Sequence, residues 1–195
     1  MSHRSKRLSL TLLALITAGC GASPAARFYT LNATAKEGAP QAALTVGVGP
    51  VTVPAAVDRP QFVVQVAPNR VEIDEFNRWV SPLNEAIGRA VAANLALLLG
   101  TPDVAVVPLA SLAPAFRVTI DVQRFDSVRG EEVVVDAMWA VRRTAGEEMR
   151  AGRTLAHEAA HGGTADALAA AHSRALARVS ADIAVAIREL AERAG

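Results

Sequence analysis

Phe116-Arg117-Val118-Thr119-Ile120-Asp121-Val122-Gln123-Arg124-Phe125 alternates apolar and polar side chains, the two-residue period of a strand with one buried and one wet face. Arg129-Gly130 supplies a turn, and Val133 to Val141 continues in the same manner through Met138 and Trp139, so the stretch reads as a hairpin. Of these two neighbours only one can face the core, and Trp139 is the one expected there. Arg153 to Ala159 reads as a further edge strand. Gly162-Gly163 then breaks the chain, and Thr164 stands where it can cap a helix over Ala165 to Glu192. Along that helix Leu168, Leu176, Val179, Ile183, Ile187 and Leu190 fall on one side, while Arg174, Arg178, Arg188 and Glu189 take much of the other.

Upstream, Phe28-Tyr29-Thr30-Leu31 is a short β-prone opening, and Ala43 to Val53 reads as a strand with a kink or edge at Pro50. Gln61 to Val66 and Arg70 to Phe76 flank Ala67-Pro68-Asn69 as a second hairpin. Asp58 and Arg59 are expected to pair and hold the turn before it. Ser81-Pro82 opens a helix, with Ser81 as N-cap and Pro82 at its first position. Leu83, Ile87, Val91, Leu95 and Leu98 form its apolar stripe, and Gly100 closes it. Val104 to Val107 is a short buried-type strand. After the opening segment the order is β-β-β-α-β-β-β-(β)-α. It implies an α/β (α+β) fold, a mixed β-sheet with two α-helices packed on one face.

Composition narrows the function. At 51% hydrophobic and 20% charged, the 195-residue chain can build a real core. Only 4% of residues are aromatic, too few for base-stacking platforms. Removing Arg4, Lys6 and Arg7 from the twenty Lys and Arg leaves seventeen against nineteen acids, a net charge of −2 beyond residue 19. Such a chain is a poor nucleic-acid binder, and none is expected as partner.

Met1 to Arg7 is a basic leader and Leu8 to Ala18 an apolar run too short to span a bilayer, the proportions of a signal peptide. It ends in Leu15-Ile16-Thr17-Ala18-Gly19-Cys20, and Cys20 is the only cysteine. A lone cysteine excludes internal disulfides and cysteine-based zinc sites. The stretch resembles the bacterial lipobox, which implies diacylglyceryl transfer to Cys20, cleavage after Gly19 and acylation of the new terminus. The expected organisation is a lipoprotein signal peptide over 1–19, a lipidated tether over 20–27 and one domain over 28–195. Gly21 in place of Asp favours the outer membrane, by analogy with Gram-negative sorting.

His157-Glu158-Ala159-Ala160-His161 matches H-E-x-x-H, which on a helix grips zinc with two imidazoles one turn apart. The context argues against a zinc metallopeptidase, because Gly162-Gly163 follows at once and no helical period precedes the motif. No serine sits in a G-x-S-x-G elbow, and Gly47-x-Gly49 is followed by Pro-Val rather than a helix start. No catalytic set, metal or cofactor is therefore expected.

Phe28-Tyr29-Thr30-Leu31 after the lipobox, then Val46-x-Val48-x-Pro50-Val51-x-Val53-Pro54, Asp58-Arg59-Pro60-Gln61, Arg78-Trp79-x-x-Pro82-Leu83 and Ala137-x-Trp139 stand in one order. Together they resemble the ABC-type transport auxiliary lipoprotein family, the PqiC-like lipoproteins, over roughly residues 20 to 190. A departure is Val80-Ser81 between Trp79 and Pro82, where the family pattern has a small residue and an acid. The resemblance implies a non-enzymatic subunit of an ABC/MCE-type envelope lipid transport system that maintains outer-membrane integrity. It implies an MCE-domain periplasmic protein and an inner-membrane transporter component as partners, and a homo-oligomeric ring. Arg78 and Trp79 are the candidate partner interface, since both residue types are common at interface hot spots; alternatively Trp79 covers the hydrophobic end of the first helix. A structural envelope lipoprotein without a transport role is the other reading.

Overall fold

The computed structural model describes residues 24–38, 44–108 and 113–193. The expected signal peptide and Cys20 lie outside the described residues. Among the described residues eight strands and two helices follow in chain order: β1 (Arg27–Tyr29), β2 (Val46–Thr52), β3 (Gln61–Ala67), β4 (Arg70–Trp79), α1 (Leu83–Leu99), β5 (Val104–Val106), β6 (Phe116–Val128), β7 (Glu132–Arg143), β8 (Met149–Ala159) and α2 (Ala165–Glu192). The mixed sheet with two helices on one face is the architecture the periodicities imply. No helix among the described residues is long and apolar enough to cross a membrane.

Strand β6 is the spine of the sheet. One side pairs antiparallel with β7 along its length, and β7 pairs antiparallel with β8. The other side forks. Its first half runs parallel to β2, which carries β5, while Ser127 and Val128 meet β3, which carries β4 and β1. The alternation explains the inner face: Phe116, Val118, Ile120 and Val122 are all buried. A bulge between Val122 and Arg124 then shifts the phase by one, so Phe125 and Ser127 point inward from there on. Strand β2 shifts register between Val48 and Val51, around the expected break at Pro50.

Both helices bury their stripes on this inner face. Leu83, Ile87, Val91, Leu95 and Leu99 of α1 and Leu168, Leu176, Val179, Ile183 and Ile187 of α2 belong to one continuous core. The caps differ. Thr164 Oγ1 accepts from Ala167 N at 3.2 Å, and Gly100 closes α1 in the left-handed region at φ 61°. Ser81 does not cap α1, contrary to expectation. Pro82 occupies the cap position without a side-chain bond, its carbonyl accepting from Ala86 N, and the Ser81 hydroxyl instead accepts from Arg89.

The segment after β1 is strapped across both helices without being helix or strand itself. Asn32 N donates to Ser173 Oγ of α2, and Thr34 N and Ala35 N both donate to Asn94 Oδ1 of α1, each at 2.9 Å. Gly38 N reaches Leu97 O at 3.0 Å. A fully buried Asn94 thus replaces the ladder bonds that an irregular segment lacks.

Candidate functional site

Strand alternation decides the fate of each singled-out residue. On β8, side chains at 150, 152, 154, 156 and 158 face the helices, and those at 149, 151, 153, 155 and 157 face the open side, as the register with β7 requires. His157 therefore stands on the open face against Glu132, with Nδ1 3.0 Å from Oε2. Glu158 points the other way, clamped by Arg174 at 3.0 Å and Arg178 at 2.5 Å. His161 is exposed beyond the strand. The H-E-x-x-H residues thus occupy opposite faces and cannot converge on one ion. No metal-holding group of His, Cys, Asp and Glu occurs among the described residues.

Arg78 and Trp79 part in the same way. Trp79 is only 5% exposed and stacks on Phe62 with ring centroids 4.1 Å apart. It belongs to an aromatic ladder from Tyr29 through Phe62 and Trp79 to Phe125, which stacks on His172 at 3.8 Å. Its burial leaves the indole no surface for a partner, so the core alternative describes it. Arg78 stays on the outer side, donating to Glu75 O at 2.8 Å and pairing loosely with the Glu75 carboxylate at 3.6 Å. Asp58 and Arg59 form no ion pair. Backbone bonds from Val57 N and Asp58 N to Pro54 O close that turn instead.

His172 ends the ladder fully buried on α2, its Nε2 2.8 Å from Ser127 Oγ and its Nδ1 without a partner. Burial pushes its pKa down to about 3, so the ring is neutral. Ser127 is its one hydrogen-bonding partner, no carboxylate bonds the other nitrogen, and both side chains are buried, the setting of a core histidine.

The face opposite the helices carries exposed apolar side chains on β7 and β8. Met138 and Met149 are each 51% exposed there and Leu155 54%. Two shallow grooves cross it. One of about 440 Å³ runs along Pro50, Thr119, Met138, Ala140 and Ala151, and one of about 420 Å³ lies between Val57, Arg59, Val63 and Ile73. Between them Arg153 grips Asp136 bidentately at 2.8 and 2.6 Å, holding that buried carboxyl below the usual carboxylate range. Trp139 faces the helices as expected, half-buried over Gly152, with Nε1 donating to Thr154 Oγ1 at 3.0 Å. The residues that sequence reasoning missed are therefore Met149 and Leu155, whose exposure follows from the parity of β8.

A mixed sheet covered on one face by two helices places the chain in the α+β class. The chain belongs to the family described as the ABC-type transport auxiliary lipoprotein component, whose model matches residues 29–184. An uncharacterised protein of known crystal structure shares 20% identity, with a TM-score of 0.67 over 84% of this chain and 99% of that one. A Xanthomonas campestris protein of family DUF330 shares 15%, with a TM-score of 0.68 over 85% of this chain and 99% of that one. At these identities the two structures bear on the fold alone. No curated protein matches the chain.

Proposed function

We propose that this chain is the membrane-anchored, non-catalytic subunit of an ABC/MCE-type envelope lipid transport system. Acylated Cys20 fastens it to the periplasmic face of the outer membrane, and an MCE-domain protein linked to an inner-membrane transporter docks on it. The family match over residues 29–184 is the observation that carries this reading. The open sheet face adds support, because exposed Met138, Met149 and Leu155 give a partner an apolar platform that the monomer leaves uncovered. The protein contact accordingly moves from Arg78 and Trp79 to β7 and β8, since Trp79 is spent on the core. Tagged, natively lipidated protein, cross-linked in membranes and pulled down, should enrich an MCE-domain protein or an ABC permease and ATPase. The enrichment should vanish in Cys20→Ala. Recovery of only this chain and abundant porins would refute the transport role and leave a structural one.

A further inference from the structure

We propose that the outer side of the β1–β4 ribbon lies on the lipid bilayer itself, with Phe28 and Val80 in the headgroup region; this rests on the anchoring at Cys20 proposed above. Phe28 is 62% exposed and Val80 59%, among the largest apolar exposures in the chain. They are neighbours. Phe28 pairs with Arg78 in the parallel register, and Val80 N donates to Tyr29 O at 3.0 Å, extending the ladder past β4. Tyr29 and Trp79 point to the core, so Phe28, Arg78 and Val80 emerge together on the opposite side. Phe76, two residues before Arg78, is a further 44% exposed.

The covalent tether says what covers them. Only six residues separate Cys20 from Arg27, seven Cα–Cα steps with a reach of at most about 25 Å at full extension. A domain of this size has a radius of gyration of about 15 Å and hence a diameter near 40 Å. The tether keeps the β1 edge within about 25 Å of the surface to which Cys20 is fixed, less than the domain's own diameter, so this edge is held near the membrane. Arg27 and Arg78 flank the exposed Phe28, where guanidinium groups can bond lipid phosphates while the apolar side chains enter the interface. The fork of the sheet puts β8 five strands from β1, about 24 Å away at the usual strand spacing. Membrane contact at β1 and partner contact at β8 then occupy opposite edges without competing.

Acylation consumes the Cys20 thiol, so an introduced cysteine is the only free one in the lipidated protein. Phe28→Cys, Val80→Cys and, as control, Val185→Cys are labelled with an environment-sensitive fluorophore and reconstituted in phosphatidylethanolamine–phosphatidylglycerol vesicles. Val185 is 51% exposed and lies on α2 twelve residues past Ser173, roughly 18 Å along the helix from the strap. The labels at 28 and 80 should shift to the blue and lose iodide quenching, and the label at 185 should do neither. Water-like emission at all three positions in protein that floats with the vesicles overturns the inference and leaves the anchor intact. Protein that does not float overturns the anchor, and the inference with it. Shielding at 28 that scales with protein density rather than lipid assigns the ribbon to a second copy and also overturns it.

Discussion

Replacing His172 by Leu removes the one titratable group that is both fully buried and neutral in the core, and the change should be read as a loss of pH dependence. In the folded chain the ring titrates near 3 because burial disfavours its charged form. Unfolded, it titrates near 6.5. Between those values the unfolded state binds the proton and the folded state does not. The stability that His172 contributes is therefore complete above pH 6.5 and is lost as the pH falls towards 3. Each pH unit in that window costs about 1.4 kcal/mol, so lowering the pH from 7 to 5 should cost the wild type about 2 kcal/mol through this group. Asp136 does not confuse the reading. Its depressed pKa contributes stability above the unfolded value of 3.8 that is lost only below it. Urea unfolding at pH 7, 6 and 5 measures the slope. His172→Leu should start less stable, by about 1–3 kcal/mol, because Ser127 loses its buried partner. It should nevertheless decline less steeply with acid than the wild type. Parallel declines for the two proteins, or a ring that titrates near 6.5 by NMR in the folded wild type, would refute the reasoning.

Asn94→Ala should cost about 2 kcal/mol, since Thr34 N and Ala35 N lose their shared acceptor, and should lower Tm by roughly 4–8 °C. Amide exchange of residues 32–38 should rise in that variant while the β6–β7 hairpin stays protected. Gly152→Ala drives a methyl into the Trp139 ring, an overpacking cost of about 1–3 kcal/mol visible as a lower urea midpoint. Purified protein should hold no stoichiometric zinc by elemental analysis, and His157→Ala should leave metal content and stability unchanged within about 0.5 kcal/mol, because His157 and Glu158 face opposite ways.

Every strand and helix that the periodicities mark is present, because a β or α period records which side chains are buried. The period also carried the failure of the H-E-x-x-H motif, whose strand setting alone separates His157 from Glu158. Three features had no such record. The strap over 32–38 is held through backbone amides on Asn94 and Ser173, and an irregular segment has no period to announce it. The bulge after Val122 changes the phase of β6, so Phe125 and Ser127 turn inward where strict alternation would expect an outward Ser127 next to an inward Asp126. Trp79 combines the residue type of an interface hot spot with the position of a core residue, and only the ring stack on Phe62 separates the two.

Photo-cross-linking in living cells tests the central claim most directly. A photoreactive residue replaces Leu155 on the open face in one strain and Val185 on α2 in another, in otherwise native lipidated protein. Position 155 should form an adduct with an MCE-domain protein or another component of an ABC transporter. That adduct should be lost on Cys20→Ala, and position 185 should give none. Adducts with such a partner from 185 and not from 155, or no transporter component from either, would contradict it.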